Sequence, residues 1–331
     1  MALSASMFHG EQSTSTIPST LGGSTGNIRK VGPHRTGLSR ADRADTLPPG
    51  APTGGWGSRR RVPLARVIAI ASQKGGVGKT TTAVNLAGYI ALAGHSCLLV
   101  DLDPQANATS GLGIESPPRS HLPALLDGTL DWNEVSEETA IPGLRCLPST
   151  VNLEVPVATA EARGGGAQRL RQQWLDASPS QLDVVILDCP PSLGPLTDLA
   201  LHIADSVLVP VQCEYFAMEG LAQVLELVRR AESSLERKIV LEGLVLTLFS
   251  PEVDLCHEVA EEVRRYFPED TLDTPVLRDP ALAEAASYGQ PICLYQPRSA
   301  GAWSYLNLAK EVLEHEWTET GTRARCPDPA H

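Results

Sequence analysis

From residue 67 onward the chain alternates short apolar runs with stretches in which apolar residues recur every three or four positions. The runs predict strands over 67–72, 97–101, 144–148, 183–188, 206–211 and 240–249, and the helical spacing predicts helices over 79–93, 196–203, 218–234, 254–267 and 302–316. Strands separated by helices imply an α/β fold, a doubly wound and mostly parallel sheet flanked by helices on both faces. Ligands on such a sheet bind at the strands' C-terminal ends. Residues 113–180 are harder to place: Pro117-Pro118, Gly164-Gly165-Gly166 and mixed polarity suggest short helices and loops. No internal repeat is visible.

The pattern is missing from the first 65 residues, which are rich in Ser, Thr, Gly, Pro and Arg. With so few large apolar residues they cannot offset the entropy of ordering a chain, so 1–65 is expected to be a disordered basic tail. The organised domain is expected over 66–316, followed by a flexible tail over 317–331. Arg29-Lys30 and Arg59-Arg60-Arg61 would suit an arm that touches a partner or nucleic acid; a solvated linker explains them equally well.

Composition sharpens this division. The whole chain of 331 residues carries a net charge of -12, yet residues 1–66 hold nine Lys/Arg against three acids, leaving about -18 on the rest. An acidic body repels DNA at long range, so any DNA contact requires a local basic patch or the tail. No apolar run is long enough to span a bilayer and the start does not read as a secretion signal, which predicts a cytoplasmic protein. The seven cysteines are scattered, odd in number and never spaced C-x-x-C, so they are expected to be reduced, without a disulfide framework or a zinc site.

The chemistry concentrates in Gln73-Lys74-Gly75-Gly76-Val77-Gly78-Lys79-Thr80-Thr81, placed between the first strand and the first helix. Backbone N–H groups of such a loop can wrap a polyphosphate at the positive end of a helix. Lys79 can reach the outer phosphates and the Thr80 hydroxyl can ligate Mg²⁺. A plain Gly-rich turn with solvated lysines would not need that strand-loop-helix order. The standard phosphate-loop pattern places its first Gly at 73, where this chain has Gln, and a second lysine, Lys74, opens the loop. This form resembles the deviant Walker A box of the ParA/MinD ATPases. The resemblance implies that ATP is bound through Gly75, Gly76, Val77, Gly78, Lys79, Thr80 and Thr81, and that Lys74 crosses a homodimer interface to the partner's nucleotide.

Two further motifs follow in order. Leu98-Leu99-Val100-Asp101-Leu102-Asp103-Pro104-Gln105 is a buried strand ending in two acids, and Val184-Val185-Ile186-Leu187-Asp188 is another ending in one. The first resembles the family's Walker A′ box, which implies that Asp103 orients the attacking water and Asp101 supports the metal shell. The second reads as Walker B, with Asp188 holding Mg²⁺ through a coordinated water, and residues 190–196 would form a loop sensing the γ-phosphate. Asp188-Cys189-Pro190-Pro191-Ser192, Val209-Pro210-Val211-Gln212-Cys213-Glu214-Tyr215, Tyr288-Gly289-Gln290-Pro291-Ile292 and Pro297-Arg298-Ser299 extend the likeness to Soj-type ParA proteins over roughly 66–316.

Within that class a MinD-like protein would end in a basic amphipathic helix for membrane surfaces, and residues 318–327 have no apolar face. Iron–sulfur relatives need paired cysteines, which Cys189 lacks. Soj-type proteins resemble P-R-N-V-R-L-S-E-A-P in a segment whose arginines are implicated in nonspecific DNA binding. This chain has Leu277-Arg278-Asp279-Pro280-Ala281-Leu282-Ala283-Glu284-Ala285, with Ala281 in place of the second arginine. Arg264, Arg265, Arg278 and Arg298 remain the leading candidates for DNA contact, with Arg229, Arg230, Arg237 and Lys238 behind them. The resemblance thus implies an ATP-dependent dimerising ATPase of chromosome or plasmid segregation, stimulated by a ParB-like partner and placed in the cytoplasm or on the nucleoid through nonspecific DNA. The alternatives are an orphan relative that positions another protein assembly and a metabolic P-loop enzyme acting on a small molecule.

Overall fold

The structure, a computed structural model, describes residues 65–117, 121–151, 153, 165–176, 182–192, 194–235, 237–317 and 323–325. All lie in the compact unit Arg35–His331. The expected N-terminal tail lies outside the described residues, apart from Ala65.

The apolar runs become strands β1 (Arg66–Ile70), β2 (Cys97–Asp101), β4 (Leu144–Leu147), β5 (Val184–Asp188), β6 (Ser206–Gln212) and β7 (Val240–Thr247), with a two-residue β3 (Glu137–Glu138) at one edge. They form one sheet in the order β3-β4-β2-β5-β1-β6-β7. Every pairing in it is parallel except β3 with β4. The exposed acids of β3 close that edge with charge, which discourages pairing with another chain.

Period-two alternation divides the strands between two cores. Val67, Ala69, Val185 and Leu187 face one apolar cluster, which includes residues of helices α5 (Gly166–Asp176), α6 (Pro195–Ile203), α7 (Ala217–Leu235) and α8 (Asp254–Tyr266). Ile68, Ile70, Val184 and Ile186 face the other. There they join α1 (Lys79–Leu92), α2 (Asn107–Gly111), α9 (Pro280–Ser287), α10 (Ile292–Tyr295) and α11 (Ala300–Glu314). Both faces are covered, as a parallel sheet with unbroken apolar strands requires. The remaining short helices, α3 (Leu122–Leu126) and α4 (Trp132–Val135), occupy the stretch expected to hold short helices and loops.

Three differences from expectation have local causes. Helix α9 was not foreseen: its Ala-rich sequence gives little apolar periodicity, and it starts because Asp279 caps the Ala281 N–H at 2.9 Å with Pro280 at the first helical position. The last helix starts at Ala300, since the Ser299 hydroxyl accepts from the Ala302 N–H at 3.1 Å. It ends at Glu314, where β8 (His315–Trp317) pairs antiparallel with β9 (Arg323–Arg325), so part of the segment expected to be a flexible tail is a two-stranded ribbon. Strand β7 stops at Thr247, because Leu248 takes a left-handed backbone with φ of 52°.

On the edge strand β7, away from the C-terminal ends of β1, β2 and β5, Glu242 is buried to 1% exposure. The carboxylate of Glu242 accepts from Arg66, from the Ser206 hydroxyl at 2.9 Å and from His315 Nδ1 at 3.1 Å, while Arg66 also donates to the Val312 carbonyl at 3.0 Å. Burial by itself would raise the Glu242 pKa, but Arg66 and His315 outweigh it and hold the group at about 2. A carboxylate depressed in the folded state contributes stability above its unfolded value, and that stability is lost as pH falls through the folded one. Thermal melts of the full chain should therefore drop steeply between about pH 4.5 and 2. Glu242→Ala should cost about 3–5 kcal/mol at neutral pH by removing the carboxylate that neutralises the Arg66 guanidinium; a variant melting like the wild type would contradict this.

Candidate nucleotide site

The site is built where β2, β5 and β1 end together. In the parallel register Ile70 lies beside Asp188 and Asp188 beside Asp101, so the loop after β1 and the two strand-end acids share one edge of the sheet. Residues 71–78 then form the turn into α1. Gly76 (φ 76°) and Gly78 (φ 89°) take left-handed backbones that a side chain would strain, and Gly78 caps α1 without any side-chain bond. A Cβ placed on Gly75 or Gly76 would meet nothing within 4 Å. The helix N-terminus, the uncapped N–H groups and this open space make a cradle for an anion.

Lys79 and Lys74 face different surroundings. The Lys79 ammonium is buried and donates to the Lys74 carbonyl at 2.9 Å, folding back across the loop. Burial lowers its pKa, against the pull of Asp188, Cys189 and Asp103. The Lys74 side chain is 41% exposed and pairs at 2.7 Å with Glu214, itself 45% exposed, at the end of β6. Glu214 also accepts from Gln212 at 2.5 Å. Lys74 also lines a small, open cleft with Ser72, Val77, Gln212, Phe216 and Leu221 among others.

The three acids differ as well. Asp188 is fully buried, and neither carboxylate oxygen makes a hydrogen bond of good geometry, the neighbouring Thr80 hydroxyl offering only partial satisfaction. Burial, then the nearby charge of Asp101, raises its pKa well above the carboxylate range; the neighbouring Thr80 hydroxyl and Lys79 oppose this only in part. A buried, partly satisfied carboxylate beside a threonine hydroxyl and an anion cradle suits a hard cation shared with phosphate oxygens. Asp101 is occupied: Oδ1 accepts from the Asp103 N–H at 3.1 Å, and Oδ2 from the Thr109 N–H at 2.8 Å and hydroxyl at 2.7 Å. Burial moves its pKa up to about 6 despite those bonds. Asp103 is 6% exposed and its Oδ1 accepts from the Gln105 N–H at 2.9 Å.

Comparison with known proteins follows the same lines. The family model of the AAA domain matches residues 65–241. The sporulation initiation inhibitor protein Soj of Bacillus subtilis is 44% identical over 256 residues, covering 75% of this chain and 98% of its own length. A chromosome partitioning protein ParA of Myxococcus xanthus is 41% identical over 279 residues, 83% of this chain and 97% of that one. The chain belongs to the ParA/Soj family of P-loop ATPases. Among solved structures, the cobyrinic acid a,c-diamide synthase of Mycobacterium smegmatis with bound ATP analog and magnesium matches with a TM-score of 0.63 at 31% identity, over 76% of this chain and 95% of the other.

The ParA-family candidates for DNA contact differ in how they are held. Arg229 and Arg230 both pair with Glu226, Lys238 pairs with Glu232, and Arg237 donates to the His202 carbonyl at 2.8 Å, where it ties β7's approach to the end of α6. Arg264 and Arg265 are exposed in the last turn of α8. Arg278 and Arg298 are exposed on adjoining segments, since Asp279 accepts from the Gly301 N–H at 2.8 Å. That acid is an N-cap rather than a free surface charge, and Ala281 is a buried residue in the first turn of α9. Of the expected phosphate-sensing loop, Leu193 lies outside the described residues, and Ser192 is held by the Thr197 hydroxyl at 2.6 Å.

Two supports of the ParA-family site have no motif of their own. Asn85 on α1 donates to the Thr81 carbonyl at 2.8 Å and accepts the Ile292 N–H at 2.7 Å, seating α10 on the phosphate-loop helix. Thr247, at the end of β7, donates to the Val77 carbonyl at 2.8 Å and is 1% exposed. The only sequence signal for Thr247 is a hydroxyl ending an apolar strand. Thr247→Val should weaken ATP binding by about 1 kcal/mol, roughly fivefold, by loosening the loop before it binds. Titration with a fluorescent nucleotide should show that loss and its recovery in Thr247→Ser; equal affinity in all three proteins would rule out the support.

Proposed function

We propose that this chain is an ATP-driven dimerisation switch that moves or positions cargo, most simply in chromosome or plasmid segregation, as its likeness to a chromosome partitioning protein ParA suggests. The observation that carries this reading is the contrast between the two lysines. Lys79 is buried inside its own loop, whereas Lys74 stands at the rim on an exposed pair with Glu214. An ion pair so exposed is worth only about 0–1 kcal/mol, so a triphosphate can displace Glu214 from Lys74. Directly after Glu214, Tyr215 and Phe216 are 80% and 64% exposed and packed edge to face, an apolar surface suited to a second copy closing over Lys74.

In this scheme Gly75 to Thr81 bind the polyphosphate, Lys79 takes the β- and γ-phosphates, and Thr80 and Asp188 hold Mg²⁺. The ion would neutralise charge on the phosphates. Asp103 orients the attacking water, with Asp101 fixing the backbone that carries it. Lys74 of each subunit supplies charge to the other's nucleotide. Phosphoryl transfer depends on such positioning and neutralisation, and a group supplied in trans controls the rate by about 10³–10⁵. Intrinsic turnover is accordingly slow and rises with a partner that carries a basic peptide of the ParB type.

A second reading is favoured by α9. Where the Soj-type segment would carry a second arginine, Ala281 is buried, leaving Arg278, Arg298, Arg264 and Arg265 as the exposed basic residues of that region. An ATPase that positions another assembly without the nucleoid would tolerate this. Co-sedimentation with nonspecific DNA, in ATP and in ADP across a salt series, separates the two. The segregation reading expects ATP-dependent, salt-sensitive binding lost when Arg278 and Arg298 become Ala. Loss only on replacing Arg59, Arg60 and Arg61 would move the contact to the tail, and absence of binding would favour the second reading. For the switch itself, Lys74→Ala should keep nucleotide affinity within about twofold while partner-stimulated hydrolysis falls by about 10³ or more; an unchanged stimulated rate would reject the trans role.

A further inference from the structure

We propose that Thr109 is a positioning residue for ATP hydrolysis: its hydroxyl fixes Asp101, and through Asp101 the backbone from which Asp103 projects. The proposal rests on the reading that Asp103 orients the attacking water. Thr109 is 0% exposed on the short helix α2, 8 residues beyond Asp101 at the strand end. Its hydroxyl oxygen accepts the Ser149 N–H at 3.0 Å, so the hydroxyl's one proton is free to go to Asp101 Oδ2, 2.7 Å away. The Thr109 N–H reaches the same oxygen at 2.8 Å. The other oxygen of Asp101 accepts from the Asp103 N–H at 3.1 Å.

The chain of contacts thus runs from the loop after β4, through one hydroxyl, to the carboxylate that sets the turn at Asp103. That turn is further closed by the Ala106 N–H on the Asp103 carbonyl at 2.9 Å, with Ala106 in a left-handed backbone at φ 54°. A strained turn of this kind holds its shape only if its neighbours over-determine it. Valine has nearly the shape of threonine but would leave the Ser149 N–H and Asp101 Oδ2 each one bond short. Because Thr109 is tied to Asp101 and not to the phosphate loop, its loss should affect the chemical step and spare nucleotide binding.

The test uses the full chain with Thr109→Val, Thr109→Ser and Asp103→Asn, and reads single-turnover hydrolysis of radiolabelled ATP with Mg²⁺, affinity for a hydrolysis-resistant ATP analogue, and the melting temperature. Thr109→Val should slow hydrolysis by about 10- to 100-fold with analogue affinity within about twofold, and Thr109→Ser should return the rate to within about threefold of wild type. A Val variant that hydrolyses at the wild-type rate, or a Ser variant as slow as the Val one, overturns the proposal. Equal losses of rate and affinity would also overturn it, because they would mark a general structural role. If Asp103→Asn keeps the wild-type rate, the reading of Asp103 fails and this proposal with it; if Asp103→Asn is inactive while the Val variant is normal, only the proposal for Thr109 fails. Thr109→Ala, which adds no bulk, makes the same comparison should the Val variant not fold.

Discussion

At the centre of the sheet, Asp188 carries two buried oxygens that, among the described residues, make no hydrogen bond of good geometry and are only partly satisfied by the Thr80 hydroxyl. Leaving such a group in its charged form costs several kcal/mol. The fold nevertheless surrounds it with what a magnesium nucleotide would complete: a neighbouring threonine hydroxyl, a buried lysine folded across the loop, and a helix N-terminus without a cap. Protein stability and ligand binding are therefore linked at one residue, since whatever lets Asp188 ionise comfortably also favours the folded chain. The position of that residue follows from the parallel register of β2, β5 and β1, which brings three strand ends to one edge.

Around this centre the supports are long-range. Thr247 holds Val77 across 170 positions, and Ile292 holds Asn85 across 207. The phosphate loop is thereby fastened from the far edge of the sheet and its helix from the segment that leads out of α9. Rigid backing of this kind keeps the cradle in shape before the nucleotide arrives, which spares binding the cost of ordering it. The rim is different: the Lys74–Glu214 pair is half in solvent and weak enough to exchange. A rigid cradle with a displaceable lysine at its edge is the arrangement a nucleotide-dependent switch requires.

How much of this was legible in the sequence divides along the same line. The phosphate loop, the two acidic strand ends and most strands are local patterns, and Asp101 and Asp188 lie side by side at the sheet edge where the loop after β1 begins. Short-range spacing also carried the parallel, doubly covered sheet. The sheet order, Thr247, Asn85, Thr109 and the buried Glu242 were not legible, because each acts on a partner that is near only after folding. Helix α9 was missed for a different reason: its start signal, Asp279 followed by Pro280, is local, but the Ala-rich run behind it has no strong apolar stripe. The same segment explains Asp279, which looks in sequence like an acid spoiling a basic surface and in the fold is a cap tied to two N–H groups.

The claim that most of this account depends on is that Lys74 serves a neighbour's nucleotide and Lys79 its own. Sedimentation equilibrium of the full-length chain with magnesium and a hydrolysis-resistant ATP analogue, set against the same chain in ADP, tests it most directly. The account predicts twice the monomer mass with the analogue and a single chain with ADP. One mass in both nucleotides would contradict it.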